Sequence, residues 1–164
     1  FLIVAVFQGG YTFVMVILGC TELGLPAVLE SSLIFGAIVT SLMIGGGYPL
    51  TQIYQHHSDL ENGDSTISMQ FGYKGTFLFS MTMFILAGLM MLCYFYLRDE
   101  VIHFILFQVF TLPLLIWFVI WMRKVWKDSE SANFKNTMKM NNISALCLNL
   151  FYFLLIINNH FLNR

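Results

Sequence analysis

The chain has 164 residues, of which 58% are hydrophobic and 10% charged, with a formal net charge of -1. Soluble domains carry about 25% charged residues, so these few charges cannot coat a water-facing surface and the chain is expected in a bilayer. Near-balanced charge without a basic run excludes the electrostatic footprint of a nucleic-acid binder.

The sequence opens at Phe1, already inside the apolar run FLIVAVF, with no basic leader and no cleavage site. A signal peptide is therefore not expected. The chain reads as the carboxy-terminal part of a longer membrane protein. A membrane helix needs about 20 mostly apolar residues. Segments at roughly 1–20, 27–54, 75–97, 101–122 and 142–161 qualify. The expected fold is all-α, a polytopic bundle of about five transmembrane helices forming a single transmembrane domain over residues 1–164.

The first segment is interrupted by Gln8-Gly9-Gly10, and a turn at Thr21–Pro26 separates it from the second. The second carries Gly45-Gly46-Gly47 and then Tyr48-Pro49. Glycines let helices approach closely, while Pro49 removes a backbone donor and favours a bend. Arg98-Asp99-Glu100 joins segments three and four tightly, and a longer polar loop at 123–142 joins four and five. Cys20, Cys93 and Cys147 are far apart in apolar runs, as expected for free thiols packed in the core.

Five crossings alternate sides, so the loops can be sorted by charge. Lys74, Arg123, Lys124, Lys127, Lys135 and Lys139 fall on the side of the polar stretch after segment two, and Arg98 and Arg164 on the other. The positive-inside bias then places loop 55–74 in the cytoplasm and the carboxy terminus outside. The basic stretch at Lys124–Lys139 is also a candidate contact for anionic membrane lipid.

That polar stretch, Tyr48 to Ser68, is the candidate site. Asp59, Glu61 and Asp64 lie there with His56 and His57, and ionisable groups beside membrane segments commonly mark functional sites. If the helix continues past Pro49, then Tyr48, Gln52, Gln55 and Asp59 line one face. Such a stripe should face the protein interior or a water-filled cavity. Glu61-Asn62-Gly63-Asp64 supplies a turn in which Gly63 accepts a positive φ, and Thr66 and Ser68 offer hydroxyls where the next helix begins. Hard oxygen ligands at the mouth of a cavity suit Mg²⁺; the same residues also suit an ordinary acidic loop capping two helices. Four histidines, with His103 and His160 outside any cluster, are too few for the several boxes of a di-iron site. A His-His pair more often serves as hydrogen-bonding groups at an interface. Glu30 is expected to cap segment two, and Gln108 and Asn149 to be buried amides joining helices. The Asn142-Ile143-Ser144 glycosylation pattern lies on the expected cytoplasmic side and is discounted.

Around these residues the sequence resembles the UbiA superfamily of intramembrane prenyltransferases. In that family a second aspartate motif reads DxxxD followed by Gly and then Thr, and Asp59, Gly63 and Thr66 match its latter half. FQGGYTF (Phe7 to Phe13) resembles the family's fifth helix and YPLTQIYQH the end of its sixth, making the five segments helices five to nine. Gln55 stands where the motif's first aspartate would be, with Asp64 a partial replacement. The family's first aspartate motif is absent from the 164 residues.

The resemblance implies Mg²⁺-dependent transfer of a prenyl group from a polyprenyl diphosphate to a small, commonly aromatic acceptor, in a bacterial inner (plasma) membrane. It implies Asp59 as the catalytic centre's main metal ligand, with Gln55 and Asp64 in support. Tyr48, Gln52, Tyr54 and Lys74 would contact substrate. Without the first motif, the chain alone is expected to be inactive. The competing readings are a non-enzymatic membrane protein, such as a transporter half or complex subunit, and a divergent member that binds prenyl lipid without turning it over.

Overall fold

A computed structural model describes residues 1–20 and 31–157. The expectations for the Thr21–Pro26 turn, Glu30, His160 and Arg164 lie outside the described residues. Among those described there is no strand, and five helices are long and apolar enough to cross a membrane. The protein is an all-α membrane protein, as composition required: in hydrocarbon a helix satisfies its own backbone hydrogen bonds.

The chain divides into two compact units, Phe1–Asp99 and Glu100–Arg164. The first begins with α1 (Leu2–Cys20), which passes through a π-helical stretch at Ala5–Tyr11. The glycines that interrupt the apolar run therefore widen the helix without breaking it. The reason is contact. Gly9 and Gly10 are buried against α2 (Ser31–Gln52). A Cβ added at Gly9 would lie 2.6 Å from the Cα of Ser41 and 2.8 Å from the carbonyl oxygen of Thr40. The Gly10 N–H donates to Ser41 Oγ at 3.0 Å, a donor that widened π-type bonding leaves available.

Helix α2 is the centre of this unit, packing against α1 and α4 (Ile67–Leu97). Its glycine run divides the work. A Cβ on Gly45 would face Phe1 and Ala5, whereas one on Gly46 would meet Phe84 at 2.8 Å and Met83 at 3.0 Å. Pro49 lies inside α2 and is buried. After Gln52 the backbone tightens into a 3₁₀ turn at Ile53–Gln55 and resumes as α3 (His56–Asn62).

The second unit pairs α5 (Val101–Lys127) with α6 (Phe134–Ile157). Phe107 and Phe151 meet edge to face at 5.3 Å. The fully buried Trp121 donates from Nε1 to the Ser131 carbonyl at 2.8 Å. Asn136 Nδ2 donates to the same carbonyl at 2.9 Å. Asn133 Oδ1 accepts from the Asn136 N–H at 3.1 Å and caps α6. The long loop expected at 123–142 thus contracts to about 128–133, because α5 runs on to Lys127 and α6 starts at Phe134. Helical bonding continues into polar residues after hydropathy has dropped. The same holds for α4, which begins at Ile67 where the apolar window began at 75.

Two other expectations change. Only Cys147 is a buried thiol, and Cys20 and Cys93 are exposed on their helices. Asn149 is exposed and donates to the Ala145 carbonyl one turn back at 2.7 Å, so its amide serves its own helix; Gln108 is half-buried.

A methyl group at Gly9 has only backbone to push against, so Gly9→Ala should cost about 1–3 kcal/mol, as overpacking does. Gly19→Ala, with nothing within 4 Å of its Cβ, should be neutral or favourable by up to about 1 kcal/mol. Unfolding in mixed micelles by a denaturing detergent measures both.

Candidate functional site

The polar stretch folds as a corner between α2 and α4. Three residues at 3.0 per turn complete one turn, so Gln55 stands almost directly over Gln52. The stripe Tyr48, Gln52, Gln55 and Asp59 therefore stays on one side of the helix, drifting by about 80° in all. All four are half-buried. Two of their oxygens, Gln52 Oε1 and Asp59 Oδ2, are buried and have no hydrogen-bond partner among the described residues. Buried acceptors normally find a donor, and a group left without one costs about 1–3 kcal/mol, more when charged. Gln55 Nε2 donates to the Tyr54 hydroxyl at 2.9 Å.

Helix α3 stops at Gly63, where φ is 74° and ψ 13°. The Asp64 N–H donates back to the Asp59 carbonyl at 2.8 Å and the Gly63 N–H to Leu60 at 3.2 Å, the Schellman pattern that a left-handed glycine permits. Asp64 thus closes the helix through its backbone, and its carboxylate is exposed. Thr66 caps α4, its Oγ1 accepting from the Met69 N–H at 3.4 Å.

The two histidines part company. His57 is exposed and pairs with Glu61 one turn on, at 3.5 Å. His56 is buried, its ring stacked on Tyr73 at 4.7 Å between centroids. Its Nε2 lies 2.8 Å from Ser68 Oγ, and Ser68 Oγ lies 3.0 Å from Thr76 Oγ1. Ser68 and Thr76 are fully buried. The Thr76 hydroxyl has the Gly72 carbonyl at 2.8 Å and the Ser68 carbonyl at 3.1 Å as acceptors. One chain of polar side chains thus ties α3 to the first three turns of α4.

Gly72 makes that chain possible. Its φ of 64° and ψ of 176° interrupt α4, a conformation open essentially to glycine alone. The break turns the Ile67–Phe71 segment back, so that Ser68 reaches both Thr76 and His56. Lys74 follows two residues later and is exposed.

Of the residues singled out from sequence, Tyr48, Gln52, Gln55 and Asp59 share the corner's inner stripe. Glu61, Asp64 and Lys74 lie at its surface. Sequence reasoning passed over Thr76 and Tyr73 and treated Ser68 only as a helix-entry hydroxyl. The available signal was a pair of hydroxyls eight residues apart, Ser68 and Thr76, bracketing Gly72.

Asp59 Oδ2 and Gln52 Oε1 fit the hard-oxygen chemistry of Mg²⁺. Each is a possible oxygen donor, the two being seven residues apart in the chain, and among the described residues no three His, Cys, Asp or Glu side chains gather into a metal site. Comparison with known proteins brings no match, whether to a family model, a curated protein or a solved structure.

Removing the Ser68 hydroxyl strands His56 Nε2, so Ser68→Ala should destabilise by about 1–3 kcal/mol. Adding His56→Phe, which keeps a ring on Tyr73 and removes the stranded group, should recover part of that loss. A double-mutant cycle in detergent-induced unfolding reads the coupling. Gly72→Ala has open space for its Cβ, so its cost of about 1–3 kcal/mol should come from the backbone conformation alone.

Proposed function

We propose that this chain supplies the second aspartate site of a UbiA-type intramembrane prenyltransferase, acting on a polyprenyl diphosphate and a small, aromatic acceptor. The observation that carries this reading is the pair of buried, unpartnered acceptors, Gln52 Oε1 and Asp59 Oδ2, on one stripe at the end of a membrane-length helix. Oxygens left in that state are poised for a ligand that brings positive charge or donors. The acidic corner itself resembles the latter half of the family's second motif, and the positive-inside bias of the lysines supports a cytoplasmic placement.

In this reading Asp59 would be the main ligand for Mg²⁺, with Gln52, Gln55 and Asp64 in support and further ligands from a facing aspartate cluster that these 164 residues do not contain. When bound, the ion supplies charge neutralisation of the diphosphate leaving group. Asp59 is held in place because α3 is tied to α4 through His56, Ser68 and Thr76. Gln52 contributes a neutral oxygen, so the site's charge rests mainly on Asp59. Tyr48 and Tyr54 present hydroxyls and ring faces beside the stripe, and Lys74, exposed beyond the Gly72 break, is within the same corner for a phosphate oxygen.

The full chain in bilayer nanodiscs, titrated with a radiolabelled polyprenyl diphosphate, tests the reading. Retention should rise with Mg²⁺ and fall about tenfold or more in Asp59→Asn, the loss of one charge-assisted contact of roughly 1.5–3 kcal/mol. Retention that ignores both EDTA and Asp59→Asn would favour a non-enzymatic membrane subunit. These 164 residues, which hold one aspartate site, should give no prenyl transfer by themselves, and product formed by them would refute the need for a second site.

A further inference from the structure

The second unit carries a feature that the prenyltransferase reading does not use. Val109, Leu112, Ile116 and Ile120 of α5 form a single stripe, and with Trp117, Lys139 and Ile143 they line a groove of about 380 Å³ between α5 and α6. The stripe covers eleven residues of rise, about 16 Å along the helix axis. Lys124 continues it one turn beyond Ile120, at the carboxy-terminal end of α5. Lys139 stands one turn before Ile143, in the early turns of α6. Both lysines therefore sit at one end of an apolar trough.

They also converge on one ring. Lys124 Nζ lies 5.1 Å and Lys139 Nζ 3.8 Å from the centroid of the Trp117 indole. Trp117 is only 8% exposed, and its Nε1 is buried with no acceptor among the described residues. Two ammonium groups on one indole repel each other. Among the described residues, neither has a carboxylate within ion-pair distance. The nearby stretch from Arg123 to Lys139 holds five basic residues and two acids, Asp128 and Glu130, a net +3. An anion between the two lysines would relieve their repulsion, and an apolar tail attached to it would fill the trough.

We propose that this groove is a binding site for an anionic phospholipid. Its phosphate bridges Lys124 and Lys139 over Trp117, and one acyl chain runs along Ile120, Ile116, Leu112 and Val109. The charge selects the headgroup, and the groove selects a lipid over a free phosphate. The site is independent of the Asp59 corner, and neither proposal depends on the other.

Native mass spectrometry of the full chain in detergent, with phosphatidylglycerol and phosphatidylcholine of matched acyl chains, tests this directly. Phosphatidylglycerol should be retained preferentially, and Lys124→Gln and Lys139→Gln should each cut that preference about fivefold, the factor for one lysine at a membrane surface. Lys135→Gln, an exposed neighbour on α6, should change it by less than twofold. Glycerol phosphate in millimolar excess should not compete, because it lacks the chain. No headgroup preference, an equal loss in all three variants, or competition by glycerol phosphate would each overturn the proposal. So would displacement by polyprenyl diphosphate at concentrations well below those of phosphatidylglycerol, which would make the groove a substrate site. Circular dichroism confirms that the variants, all at exposed lysines, remain folded.

Discussion

A helix in hydrocarbon satisfies its own backbone, but nothing in the bilayer satisfies a buried side-chain polar atom. That constraint organises the first unit. His56, Ser68 and Thr76 are buried at the point where the helical chain reverses, and each finds its partner in the others or in a backbone carbonyl. The chain of bonds fixes the angle between α3 and α4. It thereby fixes where Asp59, three residues after His56, is held. Against this background the two acceptors left without partners stand out: the same corner that satisfies three side chains completely leaves Gln52 Oε1 and Asp59 Oδ2 open.

Close packing in the same unit depends on glycine in a different way. Gly9 meets the backbone of α2, Gly45 faces Phe1 and Ala5, and Gly46 faces Phe84 and Met83. Helices in lipid gain little from apolar burial and associate through close contact of small residues. α2 can therefore serve two neighbours at once by presenting adjacent glycines to opposite sides. The π-helical stretch of α1 belongs to the same arrangement, since it delivers the Gly10 N–H to Ser41.

The fold was largely legible in the sequence. Hydropathy alone located all five helices, and Glu61-Asn62-Gly63-Asp64 indicated a turn in which Gly63 accepts a positive φ, which the structure has at 74°. Helix ends were less legible at Ile67, Lys127 and Phe134. There the hydrogen bonding runs on past the apolar window into Lys, Asn and Ser residues that are good enough helix formers at an interface. The polar stripe was legible because a 3₁₀ turn happens to preserve its register. The His56–Ser68–Thr76 chain was not, because it depends on the break at Gly72, and a glycine within a helical segment gives no sign of which dihedrals it adopts. The divergence of His56 and His57 is consistent with helical geometry, in which adjacent residues point about 100° apart: His56 turns inward and His57 outward.

The central claim is that the corner's open acceptors are a cation site centred on Asp59. Electron paramagnetic resonance of Mn²⁺ added to the full chain in nanodiscs tests it most directly, read with and without inorganic diphosphate. The account predicts an immobilised Mn²⁺ signal that strengthens with diphosphate and disappears in Asp59→Asn, while His57→Gln leaves it intact. A spectrum of free aqueous Mn²⁺ under both conditions, or a bound signal indifferent to Asp59, would contradict it.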